Sequence, residues 1–229
     1  MYIPKPFAMQ DKESLFDFID RNSFGIIVSN RGNVPVATHL PFVLNRDLEC
    51  LTGHFAKAND QWRDMEGQEV LVIFQGPHHY ISSSWYETNQ SVPTWNYVAV
   101  HVYGTVEWMT DSEEVLASLD ELVRKYESPE HKYKIDETNM VFVQHLMSGI
   151  VGFRVRIKRI EGKWKLSQNH PPERQKRVVE ALERIPSEDA AEIARLMRNN
   201  LERSTVEGHR RPVKAEEAVR TATGEDAGG

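Results

Sequence analysis

Residues 70–106 constrain this chain more than any other stretch. Two apolar runs of strand character, Val70-Leu71-Val72-Ile73-Phe74 and Val98-Ala99-Val100-His101-Val102-Tyr103, flank a segment rich in aromatic and polar residues. That segment holds Gln75-Gly76-Pro77-His78-His79-Tyr80, Trp85-Tyr86-Glu87-Thr88 and Pro93-Thr94-Trp95-Asn96-Tyr97. Core strands usually read as plain apolar runs and loops as small polar residues. A loop with two Trp, several Tyr and two adjacent His reads instead as the wall of a pocket for a flat ligand. The second apolar run alternates, with Val98, Val100 and Val102 on one face and Ala99, His101 and Tyr103 on the other. Gly104 is the expected site of a bulge that re-aims Val106 and Trp108.

The remaining elements are short. Pro4 and Pro6 keep residues 1–10 extended. Asp11 caps a predicted helix over 12–21, with Leu15, Phe18 and Ile19 on one face. Strands are predicted over 24–29, 34–44 and 48–55, the first two joined by Asn30-Arg31-Gly32-Asn33. Pro35 and Pro41 cannot donate to a ladder, which puts the second strand at an edge or bulges it near Thr38-His39. Gln61 to Met65 forms a short helix. Thr110-Asp111-Ser112-Glu113 reads as a capping box for a helix whose stripe is Val115, Leu116, Leu119, Leu122, Val123 and Tyr126. A second helix covers 138–147. Val151, Phe153, Val155 and Ile157 then alternate with polar residues, and Glu161-Gly162 reads as a turn into Trp164-Lys165-Leu166-Ser167.

After Pro171-Pro172, helices over 173–185 and from 188 turn Val178, Val179, Leu182 and Ile185, then Ile193, Leu196, Met197 and Leu201, inward. Six or seven short strands without a βαβ rhythm imply a mainly β fold with peripheral helices, an antiparallel barrel. The chain divides into a barrel over 1–170, a C-terminal helical extension over 171–203 and a disordered tail over 204–229, where the sequence turns polar and charged.

Composition removes several function classes. A net charge of -6 disfavours a broad DNA-binding face. The single cysteine, Cys50, excludes an internal disulfide and a Cys-based zinc site. No secretory signal and no membrane-length apolar run is visible, so a cytoplasmic protein without membrane association is expected. Gly-rich phosphate loops, a Gly-x-Ser-x-Gly elbow and a His-Glu-x-x-His pair are absent. The nine His lack tight ligand spacing, so no metal is expected and most read as packed or surface imidazoles. Lys57 and Asn59 stand between a strand and a short helix, where an ammonium, an amide and free N–H groups could hold a phosphate. On spacing alone, a solvated Lys at a strand end is the better reading. Lys165-Leu166-Ser167-Gln168-Asn169 crowds donors at another strand end, which is also the composition of an ordinary loop.

Taken in order, Ala37-Thr38-His39-Leu40-Pro41-Phe42, Gly53-His54-Phe55-Ala56-Lys57-Ala58-Asn59, Val72-Ile73-Phe74-Gln75-Gly76-Pro77, Tyr80-Ile81-Ser82, Ser84-Trp85-Tyr86, Val92-Pro93-Thr94-Trp95-Asn96-Tyr97 and Lys165-Leu166-Ser167-Gln168-Asn169 resemble the PaiB-type FMN-binding negative transcriptional regulators. The likeness runs from Met1 to about residue 185. It implies an antiparallel split β-barrel of the pyridoxamine-phosphate-oxidase type, a homodimer, and FMN at the subunit interface. By the resemblance, Thr38, His39 and Leu40 line the isoalloxazine, and Lys57 and Asn59 meet the phosphate. Thr94, Trp95 and Asn96, with Ser167, Gln168 and Asn169, complete the site, some from the partner subunit. The chain departs from the family pattern at Asp60 and Ser83, where Pro is usual, and at His79, often a smaller residue.

The resemblance thus implies an FMN-binding repressor acting on DNA or through a protein partner. The alternative on the same barrel is an FMN-dependent oxidoreductase or a haem-handling protein with one His as ligand, since fold does not settle function. For such catalysis the sequence names no required acid or base; His39 and His101 are the best candidates. No helix-turn-helix is evident, and Glu173, Glu180, Glu183 and Glu192 dilute the basic residues of the last two helices, so a protein partner fits the composition at least as well as DNA.

Overall fold

The computed structural model describes residues 1–88, 90–128, 130 and 133–210, with side chains to residue 203. Its strands are β1 (Ala8–Met9), β2 (Phe24–Arg31), β3 (Val34–Pro41), β4 (Val43–Asn45), β5 (Cys50–Ala56), β6 (Glu69–Ile81), β7 (Thr94–Trp108) and β8 (Ile150–Lys165). They form one antiparallel sheet in the order β3-β2-β6-β7-β8-β5-β4, with β1 added to β8. The two ends of that order, β3 and β4, are separated in sequence by Phe42 alone. Consecutive Cα atoms are about 3.8 Å apart, so the sheet must curl until its two edges lie together. Phe42 is fully buried at this junction, edge-on to Phe74 at 5.6 Å and to Phe153 at 6.1 Å. Its N–H donates to the Ser23 carbonyl at 2.8 Å, and Phe55 packs on Phe153 at 5.0 Å. β3 and β4 do not pair with each other, which leaves a split barrel as expected. Pro35 and Pro41 sit on edge strand β3, whose register against β2 runs without a bulge.

The long strands differ from the sequence reading, and both differences have one cause. β6 does not end at Phe74; it continues through Pro77, His78 and His79 to Ile81. Its register against β7 shifts by one residue between Gln75 and His78. The buried residues before the shift are Val70, Val72 and Phe74, and after it Ile81, so the inward phase changes from even to odd positions. Likewise β8 is one strand of 16 residues, and Glu161-Gly162 is not a turn. Tyr103 pairs with Arg159 but Gly104 with Ile157, which leaves Lys158 as the extra residue. Phe153 and Val155 face the core before it, Gly162 and Trp164 after it. A period-2 pattern that slips by one looks like a chain break, but a bulge produces the same slip while pairing continues. Gly104 marks the bulge, as expected, yet the strand it re-aims is β8. Val106 stays on the inward side with Val98, Val100 and Val102. A side chain at Gly104 would place its Cβ 2.2 Å from the Arg156 carbonyl oxygen.

Helix α1 (Lys12–Arg21) has the predicted limits, with the Asp11 carboxylate accepting from Ser14 N–H at 2.9 Å. Its Leu15 occupies the space beside Gly162, where a Cβ would come within 2.2 Å. Helix α2 (Ser112–Tyr126) is capped by Asp111 rather than Thr110, and its apolar stripe is nowhere fully buried. Helix α3 (Met140–Met147) leaves Val141, Phe142 and Leu146 exposed. Helices α4 (Pro172–Leu182) and α5 (Glu188–Arg210) pack on each other, and α5 also packs on β6. Their Val178, Val179, Leu182, Ile193 and Met197 join the barrel core. The α5 backbone runs past the expected boundary at Ser204, and the rest of the expected tail, 211–229, lies outside the described residues. Among the described residues no helix is long and apolar enough to cross a membrane.

The Phe42 junction makes a quantitative prediction. Phe42→Ala removes a fully buried ring where the two sheet edges meet and lowers unfolding free energy by about 3–5 kcal/mol. Phe24→Ala, at a residue 66% exposed, lowers it by less than about 1 kcal/mol. Urea denaturation of the two variants separates these outcomes.

A candidate flavin site on two sides of strand β7

Successive side chains of a strand point to opposite faces, so residues adjacent in sequence are parted in space. Thr94 and Asn96 line one cavity, while Trp95 lines another across β7. On β3, Thr38 and Leu40 share a side and His39 takes the other, exposed beside Phe24 with ring centroids 6.2 Å apart. The register carries His39 into a row across five strands: His39, Ile26, Ile73, His101 and Glu161. The two histidines singled out from the sequence therefore share the outer face of the barrel, three strand spacings apart.

That outer face is largely apolar. Ile26, Val28, Leu71, Ile73 and Ala99 are only half-buried, and none belongs to the core cluster. Ile73, His78, Trp95, Tyr97, Ala99 and His101 line a shallow cavity of about 350 Å³. Tyr80 meets Trp95 edge-on at 6.1 Å, and the His78 ring is inclined to it at the same separation. His101 Nδ1 is buried without a partner. Burial pushes the His101 pKa below the usual imidazole value; the Met1 ammonium adds to this, and Glu161 opposes it. A neutral ring nitrogen beside a flat apolar wall suits the edge of a planar heterocycle.

Asn59 and Thr38 meet around a residue that the sequence reading passed over, Gln61. The Asn59 Oδ1 caps a 3-10 turn, accepting from Gln61 N–H at 2.9 Å, and its amide donates to Thr38 Oγ1 at 2.9 Å. The Thr38 hydroxyl donates to Gln61 Oε1. Gln61 is buried, and its Nε2 donates to Ile27 O, Ser29 Oγ and Val36 O at 3.2, 3.1 and 3.1 Å. Leu40 packs against the core. Lys57 is exposed, with Nζ 3.5 Å from Ser148 O, and lines a separate cavity of about 500 Å³ with Met109, Gln144 and Gly152. Within one chain, then, Thr38 and Asn59 come together, whereas Lys57 and the aromatic wall do not share a cavity.

The third group converges where β7 begins and β8 ends. The fully buried Asn96 donates to Ser167 Oγ at 3.0 Å, and the Tyr86 hydroxyl lies 3.2 Å from the same oxygen. Lys165 Nζ donates to Thr94 Oγ1 and to Trp95 O. Thr94, Asn96, Ser167 and Asn169 line one cavity of about 410 Å³. Gln168 turns away to the backbone, accepting from Leu166 N–H at 2.7 Å and donating to Trp164 O at 2.6 Å.

A family model described as "Putative FMN-binding domain" matches residues 1–159. The chain is 40% identical over 207 residues to protease synthase and sporulation protein PAI 2 of Bacillus subtilis, spanning 89% of this chain and 99% of that protein. This chain belongs to the PaiB-type FMN-binding family. An uncharacterized protein of Aspergillus fumigatus is 31% identical over 252 residues, spanning 86% of this chain and 97% of its own length. Among solved structures, the flavocytochrome Anf3 of Azotobacter vinelandii superposes with a TM-score of 0.54 at 14% identity, covering 69% of each chain. The FAD and heme binding protein of Mycobacterium smegmatis gives 0.51 at 16% identity, covering 69% of this chain and 73% of that one. Both share the split-barrel fold.

The residues present fit the cofactor that the PaiB-type family implies. The outer face offers a flat apolar wall and the orphaned His101 nitrogen, and Lys57 offers an ammonium for a phosphate. Besides Gln61, sequence reasoning missed His170 as a pocket residue, whereas Tyr86 and Lys165 were noticed only as members of longer segments.

The Gln61 knot is testable. Gln61→Leu strips partners from Thr38 and from the carbonyls of Ile27 and Val36, and lowers unfolding free energy by about 2–4 kcal/mol in chemical denaturation. Asn59→Ala costs about 1 kcal/mol, as expected for a lost cap.

Proposed function

We propose that this chain is an FMN-binding transcriptional regulator that works as a homodimer, with the flavin between the outer faces of two barrels. The observation that carries this reading is the apolar face of β2, β6 and β7, which presents Ile26, Val28, Leu71, Ile73 and Ala99 outside the core cluster. Apolar surface of this kind gains about 25 cal/mol per Å² when covered, and a second copy covers it symmetrically. Bound FMN would supply one- and two-electron redox chemistry. Trp95 and Tyr97 give the ring its wall, His39 and His101 face the same side, and Thr38 and Leu40 lie on the other side of β3. Lys57 provides the cation for the phosphate, and Asn59 keeps one amide hydrogen for it. Thr94, Asn96, Ser167, Gln168 and Asn169 complete the site from the partner subunit.

Regulation through a protein partner is favoured over a broad DNA contact. The Arg residues of α4 and α5 are largely neutralised: Arg177 pairs with Glu87 at 3.0 Å, Arg195 with Glu192 at 2.5 Å and Arg198 with Glu183 at 2.6 Å. The exposed Val141, Phe142 and Leu146 of α3 are apolar surface of the kind that protein contacts use.

Two measurements test the proposal. Added FMN acquires a perturbed visible spectrum and quenched fluorescence, and Lys57→Ala weakens its binding about tenfold or more. Sedimentation finds a dimer that Ile73→Asp turns into a monomer. Native protein that leaves FMN unperturbed overturns the cofactor assignment, and a native monomer overturns the interface.

A further inference from the structure

Lys163 is a buried cation that the chain leaves without a counter-charge. It is 8% exposed, and among the described residues it forms no ion pair. Its Nζ donates to Tyr2 O at 3.1 Å and lies 5.1 Å from the centre of the Tyr97 ring and 5.7 Å from that of Tyr2. A carbonyl and two ring faces hold an ammonium but do not neutralise it. Lys165, two residues on, also donates to neutral oxygens, those of Thr94 and Trp95. Burial and then Lys163 push the Lys165 pKa down, so the two ammonium groups repel each other.

The register carries this charge to the edge of the aromatic wall. Gln75, Ala99 and Lys163 form one row across β6, β7 and β8, and His78, Tyr97 and Lys165 form the next. Opposed residues on one face of a sheet have Cβ atoms about 4.5–5.5 Å apart. The β6 and β7 members of both rows line the cavity of about 350 Å³, and among the described residues no acidic side chain lines it. Two carboxylates stand nearby, each with a partner of its own. Glu161, opposite His101, accepts from the Met1 ammonium, Arg159 and the Tyr103 hydroxyl. Asp189 of α5 is half-exposed, 3.8 Å from His78.

We propose that Lys163 makes this site select the charge of its flavin, binding two-electron-reduced FMN more tightly than oxidised FMN. The inference deepens the flavin reading and rests on it. Two electrons and one proton taken up on reduction leave the ring system an anion near neutral pH, whereas the oxidised ring is neutral. A negative ring lying on Tyr97 and Ala99 meets the field of Lys163 in a half-buried site, where screening is weaker than in water. Lys57 does not make this distinction, because the phosphate it faces carries the same charge in both forms. Lys163 is thus a specificity residue rather than a catalytic one. The chain transfers no electron in this scheme; the two forms of FMN are two ligands. Occupancy of the site then follows the redox state of the flavin pool as well as its concentration.

Anaerobic titration of the full chain with oxidised FMN, and with FMN reduced by dithionite, tests this through absorbance and fluorescence. The reduced form binds with a Kd at least about tenfold lower. Lys163→Met removes that preference by weakening the reduced form about tenfold, and it changes the Kd of oxidised FMN less than about threefold; Lys163→Arg retains the preference. Equal affinities in the native chain overturn the proposal, as does an undiminished preference in a folded Lys163→Met chain. If Lys163→Met does not fold, Gln75→Glu decides, because Gln75 is exposed and the isosteric carboxylate adds negative charge to the row of Lys163. A preference lowered about threefold or more by this change supports the proposal, and an unchanged one overturns it. Native protein that perturbs the spectrum of neither form overturns the flavin reading and this proposal with it, whereas perturbed spectra with equal affinities overturn this proposal alone.

Discussion

Phe42 is the single residue between the two strands that end the sheet, and the rest of the architecture follows from that short connection. Because β3 and β4 cannot separate by more than the span of one residue, seven strands are forced to curl. Curling defines an inside, which Phe42, Phe55, Phe74 and Phe153 fill with edge-on and tilted rings. It also defines an outside, and the alternation of β7 then assigns each residue from Thr94 to Tyr103 to one side or the other. The aromatic wall with His101 and the polar cavity around Ser167 are thus two faces of one strand.

What was legible in the sequence was what depends on neighbours along the chain. Asp11 and the spacing of Leu15, Phe18 and Ile19 define α1 because cap and stripe are local. Pro35 and Pro41 mark an edge because a missing N–H is a property of the residue itself. What was illegible depends on distant partners. Gly162 has the look of a turn residue, yet its small size serves the side chain of Leu15, far away in sequence. The phase slips in β6 and β8 cannot be told from chain breaks without the opposing register. The stripe of α2 has the right period, but periodicity does not say what covers it.

The candidate site was legible by family and blurred by position. Carrying over Thr38-His39-Leu40 or Thr94-Trp95-Asn96 as units ignores that a strand divides every such triplet between its faces. The pairing of Asn59 with Thr38 could be anticipated only as proximity to a common ligand. Their direct bond, and its dependence on Gln61, arises because an amide with two donors and one acceptor oxygen can bridge an edge strand, its neighbour and a helical turn at once. Lys165 was legible as part of the donor-rich segment 165–169; its neutral partners, Thr94 and Trp95 on the neighbouring strand, were not.

The prolines of β3 have a consequence for how copies of this chain meet. A free strand edge is a template for intermolecular strand addition, the route to fibrils and domain-swapped aggregates. β3 is such an edge, but it withholds two N–H groups, and the opposite edge, β4, is three residues long. Neither offers a long ladder to a neighbouring chain. Both ends of the sheet are therefore poor templates for growth by strand addition, which leaves the broad side of the barrel as the face for the dimer proposed above.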